Sequence, residues 1–321
     1  MAVVPDKVSP TVEAIFTAYE SGRDKQFRPH LGASLIGREC ERELWHSFRW
    51  CSPSRFSGRL LRLFDTGQHE EERFVADLRS VGVEVHDRDE ATGKQYGFSD
   101  FGGHFGGSID GVALGILEAP KTWHLLEFKT YNEKRFALLK KHGVQQTSPE
   151  HYAQMVVYME YLGLKRAFYL AVNKNTDELY GERIKADPGY ADLLKRKAER
   201  IIAADSPPAK LSDDPEFWKC RFCDHRAVCH EGRPAEVNCR TCLHSTPIEG
   251  GWHCSKHDQT LTLEAQRVGC NDHLYIPDLF SGEVIDAWDD WVDYALKDGS
   301  TMRNGHAGLS SKQILDQHGT A

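Results

Sequence analysis

The order of segments along the chain predicts an α/β protein, a mixed central sheet flanked by helices. Three observations carry that prediction. Helical periodicity dominates the first 82 residues, strand-like alternation takes over across residues 83–130, and helices, two strands and a closing helix then follow to residue 204. With 321 residues the chain can bury one substantial core and carry a smaller appendage.

Taken in order, residues 10–21 and 34–49 carry helical periodicity, with Ser34 as the expected N-cap of the second helix. "DTGQHEEERFVADLRSVG", residues 65–82, is a further helix with His69 in its first turn and Gly82 as its stop. "VEVHDRD" is a short strand. "HFGGSIDGVAL" and "WHLLEFKT" are expected to pair antiparallel through a turn at residues 118–121. A basic helix, "NEKRFALLKKHG", precedes an amphipathic one, "SPEHYAQMVVYMEYLG", with Pro149 early and Gly163 as its stop. "RAFYLAVNK" and "ELYGERIKA" form a hairpin across Asn175–Asp177, and a helix spans residues 188–204. "DSPPAKLSDDPEF", residues 205–217, is a linker.

Mean hydropathy is −0.54, and 27 % of the residues are charged. No apolar run approaches the ~18 residues of a membrane span, and "MAVVPDKVSP" has no signal-peptide core, so a soluble cytoplasmic protein with no membrane contact is expected. The net charge of −8 argues against bulk nucleic-acid binding, although a local basic cleft is what steers phosphates. Arg38, Arg42, Arg49, Arg55, Arg59 and Arg62 form one such cluster and are expected on a DNA-binding face. Lys134, Arg135, Lys140 and Lys141 form a second. Acid is concentrated near the end, in "EVIDAWDDWVDYALKD".

Nine cysteines in a chain with no export signal point to metal ligation more than to disulfides. Cys220, Cys223 and Cys229 have C-x2-C-x5-C spacing and can share one centre, with Cys40 as the distant fourth thiolate. Such a set suits zinc or an iron–sulfur cluster, and a local zinc knuckle completed by His225 or His230 is the alternative. Cys239, Cys242, Cys254 and Cys270 form a second, local set of the kind found in small structural zinc modules. His244, His253, His257 and His273 could stand in for one of these cysteines. Two buried thiols plus a redox pair is the bland alternative. Cys51 is left over as a buried thiol.

In "LLEFKT", Glu127 and Lys129 share one strand face while Leu126 and Phe128 share the other. An isolated pair of this kind is an ordinary salt bridge. Here the chain offers, in order, His69, Asp110, Glu127 with Lys129, and then Gln154 and Tyr158 four apart on a helix. This ordered set resembles the RecB-like branch of the PD-(D/E)XK nuclease superfamily over residues 34–229. A cysteine ahead of the motifs and C-x2-C-x5-C behind them is similar to that branch's iron–sulfur subset, which includes the AddB nuclease domain and CRISPR-associated adaptation exonucleases. Ile109 stands where the superfamily name has proline.

The resemblance implies a restriction-endonuclease-like core over residues 1–232, with a [4Fe–4S] staple on Cys40, Cys220, Cys223 and Cys229. A small four-cysteine zinc module at residues 233–280 and an acidic segment at 281–321 would follow it. It also implies a metal-dependent deoxyribonuclease acting on DNA ends or single strands, an exonuclease more than an endonuclease, with partners from a recombination, repair or adaptation pathway. Asp110 and Glu127 supply the hard oxygens that Mg²⁺ or Mn²⁺ prefers. Lys129 orients or deprotonates the attacking water or holds the phosphate. By resemblance His69 is a further metal ligand, while Gln154 and Tyr158 position water or the DNA backbone. A non-cutting DNA-end clamp and a structure-specific endonuclease remain the alternatives on the same fold. An iron–sulfur redox enzyme would need a cofactor fingerprint that the chain lacks.

Overall fold

Helix α1 (Pro10–Ser21) starts at a proline, whose missing N–H costs nothing in a first turn. The computed structural model describes residues 9–22, 28–53 and 56–318; Arg55 lies outside them. Strand β1 (Leu31–Gly32) leads to α2 (Glu41–Phe48) and then to the long α3 (Gly58–Ser80). Strands β2 (Glu84–His86), β3 (Gly97–Asp100), β4 (Phe105–Ser108), β5 (Gly111–Leu114) and β6 (His124–Tyr131) follow. Helices α4 (Glu133–Thr147) and α5 (Pro149–Tyr161) cross over to β7 (Arg166–Asn173), which turns back into β8 (Leu179–Lys185) and α6 (Pro188–Ala203).

The main sheet has the order β2-β5-β6-β7-β8, with β6 and β7 parallel and the other pairs antiparallel. Two helices between β6 and β7 provide the crossover that a parallel pair needs. One face carries Leu126, Phe128, Phe168, Leu170 and Val172 against Phe74, Val75 and Leu78 of α3. Phe74 stacks on Phe128 with ring centroids 5.0 Å apart, and truncating such a buried ring costs about 3–5 kcal/mol. The other face, with Leu125, Tyr131, Tyr169 and Ala171, packs under α4 and α5, with α6 against α5 and α2 against α6. Burial on both faces explains why β7 reads as a nearly unbroken apolar run.

Several expected elements fall elsewhere. The helix expected from Ser34 begins at Glu41, and its N-cap is Cys40, whose Sγ accepts from Glu43 N at 3.4 Å. The preceding turn is committed to a close approach instead: a Cβ on Gly37 would come within 2.8 Å of Glu150 Cα and Ala153 Cβ on α5. Helix α3 begins at Gly58, not residue 65, because Ser57 supplies the cap. His69 is therefore mid-helix. "HFGGSIDGVAL" is two strands, not one. Strand β4 pairs with β1 and β3 in a separate sheet, and only β5 joins β6. The chain switches sheets at Ile109 and Asp110, helped by Gly111, whose φ of +154° suits glycine.

Beyond the irregular segment at residues 205–217 come α7 (Trp218–Arg221) and α8 (Arg226–His230). A 3-10 turn at Cys239–Thr241 precedes the small sheet β9 (Ser245–Ile248), β10 (Gly251–Cys254) and β11 (Gln259–Leu261), which is followed by α9 (Leu263–Val268). The acidic end, for which the sequence predicts no elements, is an antiparallel meander. It comprises β12 (Glu283–Trp288), β13 (Trp291–Ala295) and β14 (Thr301–Gly305), closed by α10 (Ser311–His318). No helix among the described residues is long and apolar enough to cross a membrane.

Two of the arginines expected on a DNA-binding face, Arg42 and Arg49, are buried instead. Arg49 is 1 % exposed and Arg42 9 %. Arg49 donates to the carbonyls of Arg240, Ser245 and Ala204 at 3.2 Å each, and Arg42 to that of Pro208 at 3.0 Å. These guanidiniums tie later segments to α2, where many-pronged donors satisfy loop carbonyls. Arg240 does the same in reverse. It donates to Pro29 O at 2.9 Å and Phe48 O at 3.1 Å and lies 3.7 Å from the Trp50 ring centroid. Residues 233–280 are thus keyed into the core and are more than an appendage. Among the described residues, Arg59 and Arg62 remain as exposed members of the early cluster beside the half-buried Arg38.

Candidate active site

The antiparallel register pairs Gly111 with Leu126, so continuing it by one residue sets Asp110 opposite Glu127. Asp110 accepts a hydrogen bond from Phe128 N at 2.7 Å, which anchors its carboxylate to the strand carrying the E-x-K pair. Glu127 is 1 % exposed. Lys129 bonds to one of its oxygens and also donates to Phe128 O at 3.0 Å. Gln154, from α5, donates to the other oxygen at 3.1 Å. Four of the expected residues therefore form one bonded cluster.

Tyr158, one helical turn beyond Gln154, is buried and packs edge-on to Phe98, with centroids 5.7 Å apart. Its hydroxyl presses on β4 at Gly107, where a side chain would collide with it. Burial first, and then Glu127, push its phenol above the ordinary range. His69 is not brought to the cluster. Its side chain is 74 % exposed and pairs with Asp65 at 3.6 Å on the outer side of α3.

Glu71, two residues on, faces inward instead. Its carboxyl is pushed up to about 7 by burial first and then by Asp110, with Lys129 pulling the other way. Glu127 is likewise pushed up to about 7, by burial opposed by Lys129, with Asp110 adding to the rise. Burial alone would lower the Lys129 pKa, but Glu127, Asp110 and Glu71 together raise it. Three carboxyls crowding one lysine are short of positive charge, which is what a divalent cation supplies. Sequence reasoning misses Glu71 because "HEEE" offers three adjacent acids. The signal that selects it is helical phase: residues 67, 71, 74, 75 and 78 share the inward face of α3.

The cluster opens into a cleft with two unlike walls. Leu63, Phe64 and Gly67 of α3 form one, while Lys129, Arg135 and Lys174 belong to the other. Phe64 is 39 % exposed and braced edge-on by Phe56, with centroids 5.1 Å apart.

Both cysteine sets converge. Cys40, Cys220, Cys223 and Cys229 line one cavity between the N-terminus of α2 and helices α7 and α8, together with His46, His225 and His230. Burial raises the thiol pKa of Cys220 and Cys229, and pushes Cys223 up to about 12. His225 bonds to Ser47 Oγ through Nε2 at 2.9 Å. Cys239, Cys242, Cys254 and Cys270 line a second cavity with His244, Asp272 and His273. His257 lies 3.7 Å from Cys270 Sγ and 3.2 Å from Asp272, while His253 turns toward Asp258 at 3.7 Å. Cys51 is buried in the main core.

A family model described as the PD-(D/E)XK nuclease superfamily matches residues 29–230. Among solved structures the chain is similar to LHK-Exo in complex with dAMP, at 18 % identity over 60 % of this chain and 91 % of that one, with a TM-score of 0.39. A crystal structure of this alkaline exonuclease from Laribacter hongkongensis matches at 17 % identity over 58 % and 91 %, with a TM-score of 0.39. SSO0001 matches at 12 % identity over 69 % and 96 %, with a TM-score of 0.41. No curated protein matches the chain.

Proposed function

The chain belongs to the PD-(D/E)XK nuclease superfamily, and on that premise we propose that it is a metal-dependent DNA exonuclease of the RecB-like branch. The observation that carries this reading is the bonded cluster of Asp110, Glu127, Lys129 and Gln154, with Glu71 facing it, at the edge of a part-basic cleft. Asp110, Glu127 and Glu71 would hold Mg²⁺ or Mn²⁺. Such an ion, when bound, polarises the phosphodiester and makes water a better nucleophile at neutral pH. Lys129 holds the scissile phosphate as a point charge and aligns the water against it. Gln154 keeps the Glu127 carboxylate in one orientation, and Tyr158 backs the site. His69 stays outside this arrangement, and Glu71 takes the place on α3 that the sequence assigned to it.

The unlike walls of the cleft favour single strands or frayed ends. Bases stack on an aromatic surface such as Phe64, and phosphates lie along cations such as Arg135 and Lys174.

The first cysteine cavity fits a [4Fe–4S] cluster: four thiols and no carboxylate but Glu43. We assign zinc to the second set, whose ligands come from one short segment. End-labelled linear and circular DNA, incubated with Mg²⁺, Mn²⁺ or chelator, tests the main reading. Loss of label from linear DNA alone, only with the cation, is expected. Nicking of circles would indicate an endonuclease, and binding without any cutting a DNA-end clamp.

A further inference from the structure

His151 stands in the first turn of α5, three residues before Gln154, and lines the same cleft as Lys129 and Arg135. Its Nδ1 meets a buried chain of hydroxyls. Tyr169 Oη lies 2.9 Å from Nδ1, Tyr131 Oη 2.7 Å from Tyr169 Oη, and Ser148 Oγ 2.8 Å from Tyr131 Oη. Tyr131 Oη also lies 3.4 Å from Nδ1. The ring is steadied by Tyr169, inclined 29° to it with centroids 6.0 Å apart.

Each hydroxyl has one proton to give. Among the described residues Ser148 Oγ has no partner other than Tyr131. Protons passed from Ser148 to Tyr131, to Tyr169 and on to Nδ1 satisfy every group. The reverse direction would leave the buried Ser148 proton with no acceptor. The network therefore fixes the tautomer, with Nδ1 accepting and Nε2 carrying the proton. Burial, then Lys129 and Arg135, push the imidazole pKa down to about 3, so the ring is neutral. Nε2 makes no hydrogen bond within the described residues and is not among their sealed, unpartnered atoms, so this edge is left for the cleft.

We propose that His151 is a substrate-binding residue whose Nε2–H is a fixed, uncharged donor to a phosphate oxygen of the DNA strand in the cleft. It supplies direction where Lys129 and Arg135 supply charge. This rests on the nuclease reading of the cleft.

The test is binding of a fluorescent single-stranded oligonucleotide in chelator, across a salt series. It compares wild type with His151→Phe, His151→Gln and Arg135→Ala. His151→Phe is expected to weaken binding about fivefold, as for one hydrogen bond, while leaving the salt slope unchanged. Arg135→Ala should flatten that slope by about 0.7, as for one phosphate contact on a single strand. His151→Gln, which can accept from Tyr169 and still donate, should bind like wild type. A folded His151→Phe with unchanged affinity, or with a slope flattened like that of Arg135→Ala, overturns the proposal.

Should His151→Phe fail to fold, ¹⁵N-histidine-labelled wild type decides, its His151 signal identified by its loss in His151→Gln. The Nε2–H tautomer, perturbed by oligonucleotide, is expected; an Nδ1–H tautomer or an unmoved signal overturns the proposal. The cutting assay separates the two readings. Oligonucleotide binding that depends on His151 without cutting would sink the nuclease alone. Metal-dependent cutting with His151→Phe binding normally would sink the His151 role alone. A wild type that neither binds nor cuts would sink both.

Discussion

Gln154 on α5 donates to Glu127 on β6 at 3.1 Å, while Lys129 bonds to the other oxygen of the same buried carboxylate. The E-x-K pair is thus held by the strand below it and by the helix above it. Lys129→Ala and Asp110→Asn are expected to fold and to cut DNA on the order of 10²-fold more slowly, as for loss of a group acting in the transition state. Gln154→Ala should raise the Mg²⁺ concentration needed for half-maximal rate by roughly tenfold, as outer-shell partners of ligands commonly do. Undiminished cutting by folded Asp110→Asn would remove the site from this cleft.

Glu71 and His69 make opposite predictions. Glu71 faces Asp110 and Lys129, and His69 faces solvent beside Asp65. Titrating activity against Mn²⁺ should show Glu71→Gln severely impaired, by roughly 10-fold or more in metal affinity, and His69→Ala close to wild type. The reverse pattern would restore the histidine to the metal site.

Metal affinity should fall with acidity. Glu71 and Glu127 are both pushed up to about 7, so below that pH a cation must displace their protons. Calorimetric Mn²⁺ binding should strengthen as pH rises toward about 7 and release protons there. The same shifts fix the sign for the metal-free fold. Between the ordinary 4.5 and about 7 the native state holds more protons than the unfolded chain, so this contribution to stability is lost as pH rises. Glu71→Gln should flatten both dependences.

The cysteine sets should separate on metal analysis. Protein purified anaerobically is expected to be brown, with about four irons and one zinc per chain. Cys220→Ala should lose iron and colour, and Cys239→Ala should lose zinc and keep the colour. Two zincs in colourless protein would make the first centre a zinc staple and leave the active-site cluster unchanged.

Buried and exposed arginines should sort by assay. Arg49→Met and Arg240→Met leave several carbonyls without donors and should each cost roughly 3 kcal/mol in urea unfolding. Neutral substitutions at Arg59 and Arg62 should leave stability within about 0.5 kcal/mol. If these two line the path of DNA, their loss flattens the salt dependence of binding.

Much of this was legible in the chain itself. Period-2 alternation in "LLEFKT" put Glu127 and Lys129 on one face, and i, i+4 spacing aligned Gln154 with Tyr158; both follow from local geometry that packing does not alter. The hairpin turn at residues 118–121 and the β7–β8 hairpin were legible for the same reason. Clustering in sequence also marked the two cysteine sets apart from the distant Cys40, and all eight cysteines line two cavities.

What the sequence could not decide is which side of an element faces inward. Three consecutive acids on α3 are equivalent until the sheet fixes the helix's rotation, and that rotation turned Glu71 in and His69 out. Arg42 and Arg49 were expected on a DNA-binding face, but distant carbonyls, contributed by segments more than 150 residues away, gave them partners. The orientation of His151 is of the same kind. It depends on hydroxyls from Tyr131, Ser148 and Tyr169, which lie on two strands and at a helix start and meet only in the folded chain. Local periodicity is written by neighbours along the backbone, whereas burial, rotation and proton direction belong to contacts between distant segments.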